Sequence, residues 1–97
     1  MKSYFVYMVR CADGSFYTGI TNNVEYRVGQ HNFGTDPESY TFARRPVRPV
    51  YVAEFHDVID AIQWEKHVKK WSHAKKQALA AGDWNAVRRL ARCRSKR

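Results

Sequence analysis

Five side chains have types and spacings that could do chemistry together: Tyr7, Tyr17, Arg27, His31 and Glu65. Tyr7 and Tyr17 stand ten residues apart in "YFVYMVRCADGSFYTGIT", whose outer parts are rich in aromatic and β-branched residues around the turn signal "ADG". A phenol can position a water or a phosphate, and it can take a proton if neighbouring cations lower its ordinary pKa of about 10. Arg27 supplies a permanent positive charge and His31 a second proton acceptor. Glu65 falls inside the apolar stripe of a helix, where an ionised carboxylate is costly unless a cation or hydrogen-bond donors compensate it. It is therefore one half of a buried ion pair with Arg27 or a lysine, or it is a metal ligand or general base. The other four have plainer uses too: strand tyrosines are commonly core aromatics, and Arg27 and His31 could be surface residues.

The elements that must position them can be read from turn and cap signals. Tyr4 to Arg10 and Phe16 to Ile20 form a predicted hairpin, closed by a three-residue loop of Ala12, Asp13 and Gly14 with the glycine left-handed. That loop sets Tyr7 opposite Gly19 and Val9 opposite Tyr17, so both phenols share one face; a two-residue loop would separate them. Gly19 removes a side chain where something can approach the Tyr7 phenol closely. Asn22 or Asn23 caps a helix through His31, with Gly34 past its end, and Arg27 and His31 share a face with Val24. Thr35 to Pro49 holds all three prolines and reads as a loop carrying Arg44, Arg45 and Arg48, followed by a third strand, Val50 to Phe55. Asp57 caps a helix from Val58 to about Lys70, whose inward stripe collects Val58, Ala61, Ile62, Glu65 and Val68. Ser72 caps a helix through Ala80 that Gly82 ends, and Asp83 caps a last one with Trp84, Val87 and Leu90, beyond which "RCRSKR" reads as a frayed end. Trp64 and Trp71 read as core contacts, and His56, His67 and His73 as surface residues. The expected fold is α/β, a small three-stranded antiparallel sheet flanked by helices on both sides. Val6, Met8, Phe16 and Ile20 supply the apolar face opposite the tyrosines.

Ninety-seven residues suffice for one domain with one modest core. Lys and Arg number 17 against 9 acids, a formal charge of +8, which favours a polyanionic partner, nucleic acid before an anionic membrane surface. From Glu65 onward only Glu65 and Asp83 oppose eleven basic residues, so the last third reads as a basic surface. Cys11 and Cys93 are too few for a four-ligand metal site. With no signal-peptide pattern and no membrane-length apolar run, a cytoplasmic protein with reduced thiols is expected.

The tyrosine pair, the Arg ten residues after Tyr17, the His four beyond it and the later helical Glu resemble the GIY-YIG nuclease domain. The first motif element is "FVY" and the second "YTG". The likeness is closest to the small stand-alone, YhbQ-like members, through "CADGSFYTGIT", the "RRPV" run and the "KKQAL" basic helix. It covers about Tyr4 to Leu79, so residues 1–82 are expected to form the GIY-YIG domain, with 83–97 a basic helix and tail of the same single domain. Phe5, Val6 and Thr18 depart from the family's motif letters, no Asn follows Glu65 in the position usual for catalytic members, and Ser39 precedes the "YT" pair where small members commonly carry a lysine.

The resemblance implies one-metal hydrolysis of a phosphodiester in DNA, with structured or damaged DNA in repair or recombination as candidate substrates. Glu65 would hold Mg²⁺ or Mn²⁺, Tyr7 would accept the proton of the attacking water, and Tyr17 would position water or phosphate. Arg27 would lower the Tyr7 pKa and stabilise phosphoryl charge, and His31 is a second candidate for proton transfer. Arg44, Arg45, Lys69, Lys70, Lys75 and Lys76 would hold the nucleic-acid backbone. The alternatives are a nucleic-acid-binding module with little or no catalysis, argued from the absent Asn, and an accessory subunit whose basic helix docks on an acidic protein.

Overall fold

The computed structural model describes residues 2–95, with side chains described as far as Ala91. Strands β1 (Tyr4–Arg10), β2 (Phe16–Thr21) and β3 (Arg48–Phe55) form one antiparallel sheet in the order β2-β1-β3. The hairpin closes as its sequence dictates. Cys11 and Ser15 pair through a 2.8 Å backbone bond, Gly14 takes φ +86° inside the three-residue loop, and Tyr7 faces Gly19 while Val9 faces Tyr17. Strand β3 begins earlier than expected, at Arg48, and includes Pro49. It is an edge strand with a register shift between Met8 and Val9 of β1, so a residue without an N–H is tolerated there.

Helix α1 (Val24–Phe33) starts on Asn23, whose side chain accepts from the Tyr26 N–H, and stops at left-handed Gly34. It continues two residues past His31. Helix α2 (Val58–Lys69) is capped by Asp57, α3 (His73–Ala80) by Ser72, and α4 (Trp84–Ser95) begins after Asp83, which accepts from the Ala86 N–H. Arg92 to Ser95, expected to fray, continue α4; Lys96 and Arg97 lie outside the described residues.

The sheet is covered on both sides. Met8 and Phe16 pack with Val68 and Trp71 of α2 and its exit, Leu79 of α3 and Val87 of α4. Tyr7, Val9 and Cys11 pack with Val28 of α1 and with Val47. Trp64 and Trp71 are core contacts at a 5.7 Å centroid separation, and His56, His67 and His73 are exposed, as expected. Val58 departs from the expected stripe: it and Ile59 are exposed, because the first turn of α2 lies off the packed face that Ala61 and Val68 occupy. Cys11 is a buried free thiol, and the Cys93 side chain lies outside the described residues. Among the described residues no helix is long and apolar enough to cross a membrane.

Candidate active site

The phenol of Tyr7 crosses β2 above Gly19. A Cβ on that glycine would sit 2.7 Å from Tyr7 Oη, so only the missing side chain leaves the ring its path. At the end of that path Tyr7 Oη meets His31 Nε2 at 2.9 Å, and His31 Nδ1 meets Thr41 Oγ1 at 2.7 Å. Thr41 in turn lies 3.0 Å from Ser39 Oγ. Tyr7, His31 and Thr41 are all buried, with at most 6% of each exposed, so this is an interior line of polar groups rather than a surface cluster.

The loop between α1 and β3 holds Thr41 in place. Asn32 of α1 exchanges two hydrogen bonds with the Val47 backbone, at 2.9 and 2.7 Å. The Ala12 N–H donates to the Arg44 carbonyl, and Arg44 Nε binds Asp13 at 3.1 Å. Thr41 was missed in the sequence. It lies in an aperiodic loop ten residues beyond His31, and the "YT" pair was its only signal.

Burial and the neighbouring Tyr17 phenol push the Tyr7 pKa above its ordinary value, while the Arg27 guanidinium pulls it down. The balance is upward. The expectation that Arg27 would leave Tyr7 with a lowered pKa is therefore corrected, because removal from water outweighs one half-buried cation. Arg27 itself donates to Gln30 Oε1 at 3.1 Å. The His31 pKa is held below its ordinary value, first by burial and then by Arg27, so the imidazole is neutral at pH 7.

Tyr17 is half-buried. Its ring lies 6.4 Å from that of Tyr7 and 5.3 Å from His31, and stacks on Tyr40 at 6.1 Å. Glu65 projects from α2. Its carboxylate, 12% exposed, binds Lys69 Nζ at 2.7 Å, and that ammonium lies 5.8 Å over the Tyr17 ring. The charge of Glu65 also reaches Tyr7, whose pKa it helps to raise. Tyr7, Tyr17 and His31 thus meet, Arg27 and Glu65 lie within electrostatic reach of the Tyr7 phenol, and Glu65 has the lysine partner that its place on an apolar face demanded. The hydrogen bond to Glu65 raises the Lys69 pKa in turn.

The six basic residues assigned to nucleic acid separate. Lys69 and Lys76 line a hollow with Phe16, Tyr17, Thr18 and Tyr40, and Lys70 is exposed. The Lys76 pKa is lowered by burial and by Lys69, as two cations in one hollow require. Lys75, by contrast, is 7% exposed with its ammonium 4.1 Å over the Trp71 ring, which takes it off the outer surface. Arg44 and Arg45 lie over the Tyr40 and Phe42 rings at 3.9 and 4.2 Å and donate to the Tyr40 and Phe42 carbonyls, so they brace the loop. Asn85 is exposed on α4, where Arg88 donates to it.

A lone hard carboxylate within electrostatic reach of the Tyr7 phenol suits an ion that keeps most of its waters, which is the habit of Mg²⁺ and Mn²⁺. Among the described residues no group of three or more His, Cys, Asp or Glu could build a fuller cage. Lys69, which pairs with that carboxylate, is itself nearly half exposed.

Comparison with known proteins is consistent with this geometry. A family model described as the GIY-YIG catalytic domain matches residues 3–78. A UPF0213 protein of Staphylococcus aureus is 42% identical over 79 residues, 81% of this chain and 95% of its own. One from Desulfotalea psychrophila is 42% identical over 77 residues, 79% of this chain and 70% of its own. The solution structure of a UPF0213 protein of Bacillus halodurans superposes with a TM-score of 0.53 at 38% identity, covering 81% of this chain and 83% of that one. That of a protein from E. faecalis gives 0.56 at 36%, covering 78% and 80%.

Proposed function

The chain belongs to the GIY-YIG catalytic-domain family, and from that premise we propose that it is a metal-dependent endonuclease hydrolysing phosphodiester bonds in DNA, with structured or damaged DNA in repair or recombination as its substrate class. The observation that carries the reading is the 2.9 Å contact of Tyr7 Oη with a buried, neutral His31. A phenol whose own pKa is raised is a poor base alone. Coupled to His31 it need never carry a full charge: it takes the proton of the attacking water as its own hydroxyl proton passes to Nε2. Thr41 accepts the Nδ1–H and so keeps Nε2 free to receive. The water oxygen forms the new P–O bond, the leaving-group P–O bond breaks, and solvent supplies the proton to the departing oxygen.

Glu65 would hold Mg²⁺ or Mn²⁺, which when bound supplies Lewis acidity at a phosphate oxygen. Arg27 offsets phosphoryl charge from the other side, and Tyr17 with its neighbour Tyr40 forms the wall against which the sugar-phosphate rests. Lys69, Lys70 and Lys76 hold the flanking backbone, giving salt-dependent binding with little sequence preference.

A second reading, a nucleic-acid-binding module with little or no turnover, is favoured by the 2.7 Å ion pair that occupies Glu65 and by the lack of an Asn near it. Supercoiled plasmid incubated with the protein and Mg²⁺ or Mn²⁺ separates the two. Nicking lost in Glu65→Gln and His31→Ala supports the nuclease; plasmid bound and left intact by the wild type supports the module. Nicking undiminished in Glu65→Gln would sink the mechanism.

A further inference from the structure

The far end of β1 carries a charge pattern that the tyrosine site does not use. Arg10, the last residue of β1, stands directly opposite Arg48, the first of β3. Like charges facing each other across strands are destabilising. Among the described residues neither guanidinium has an ion pair or a side-chain hydrogen bond, although Arg10 lies 5.3 Å over the Phe16 ring. The one acid of the hairpin, Asp13, is already bound to Arg44 and Ser15. The two arginines open onto a pocket of about 350 Å³, completed by Cys11, Ala12, Pro46 and Val47. Cys11 adds no negative charge there, since burial pushes its thiol pKa up. The pocket therefore has two cations on its walls and no anion.

We propose that Arg10 and Arg48 form a phosphate-binding site for the nucleic-acid strand, separate from the reaction centre. The proposal rests on the nuclease reading for its ligand, a backbone phosphate. Arg10 pairs with Phe16 and lies over its ring, so it shares the Met8 face of β1, and the site lies at the hairpin end on the other side of the sheet from the Tyr7 phenol. A phosphate between the arginines removes their repulsion.

The test is duplex-oligonucleotide affinity between about 50 and 200 mM KCl, measured on Glu65→Gln protein so that the probe stays intact. Arg10→Gln and Arg48→Gln should each make the log–log salt slope shallower by about 1. Arg48→Glu should do two opposite things at once: weaken binding by about tenfold or more, and raise the melting temperature of the free protein, because the facing pair becomes complementary. A role confined to folding would not move the two in opposite directions. Tight binding with an unchanged slope in both Gln variants overturns this site alone. Wild-type nicking that survives Glu65→Gln overturns the nuclease mechanism alone, and a wild type that binds no oligonucleotide overturns both.

Discussion

The two faces of the sheet are buried to the same depth and used in opposite ways. Met8 on one face is 0% exposed and Tyr7 on the other 1%. Around Met8 and Phe16 the contacts are mainly apolar and non-directional, with the Trp64 to Tyr51 hydrogen bond at their margin, and the buried polar atoms without a partner among the described residues, Thr18 Oγ1 and Trp71 Nε1, both belong there. Around Tyr7 the same dryness holds a directional series, Tyr7 to His31 to Thr41 to Ser39, in which each buried polar side chain has a partner. One face supplies stability that tolerates adjustment. The other converts exclusion of water into defined protonation states, because a buried hydrogen bond cannot be exchanged for one to solvent.

Several substitutions would break or sharpen that contrast. The largest loss of stability is expected on the apolar face: Met8→Ala should cost about 2–5 kcal/mol by urea unfolding, while any surviving folded fraction cleaves normally. Gly19→Ala should cost less, about 1–3 kcal/mol from overpacking, yet abolish cleavage, because its new methyl occupies the path of the Tyr7 phenol. A Gly19→Ala protein with wild-type turnover would show that the phenol need not lie where it does. Smaller again, Thr41→Val leaves His31 Nδ1 without its partner at about 1–2 kcal/mol. It should lower kcat much more than it raises KM, a split that a merely structural Thr41 would not produce.

The smallest effect is in pH dependence. The His31 pKa is depressed in the fold, so its contribution is complete above the unfolded value of 6.5 and is lost as pH falls through the folded value. The Tyr7 pKa is raised, so its contribution is complete below 10.0 and is lost as pH rises through the folded value. Unfolding free energy should therefore fall on the acid side by at most about 1.4 kcal/mol per pH unit from His31, and His31→Gln should flatten that limb. An acid limb unchanged in His31→Gln would show that the imidazole is not held neutral by burial.

Much of the site was legible because its placement is local. Gly14 in a three-residue loop leaves one register for the hairpin, and that register alone puts Tyr7 opposite Gly19 and on the same face as Tyr17. Asn23 and Gly34 bound α1 by satisfying its end groups, so Arg27 and His31 share a face by spacing. The cost of a carboxylate on the apolar stripe of α2 required a partner for Glu65 before any coordinates did.

Tertiary structure decided what depends on chain segments far apart in sequence. Thr41 reaches His31 only because Asn32 and Asp13 fasten an aperiodic loop at both ends. Lys75 and Lys76 are neighbours in one basic run, yet one is buried on Trp71 and the other faces the tyrosine hollow, a division that composition cannot express. Arg10 and Arg48 face each other because two strands distant in sequence pair across a register shift. Turns and caps act over three or four residues and carry their own instructions; the identity of a long-range neighbour is settled only when the faces pack.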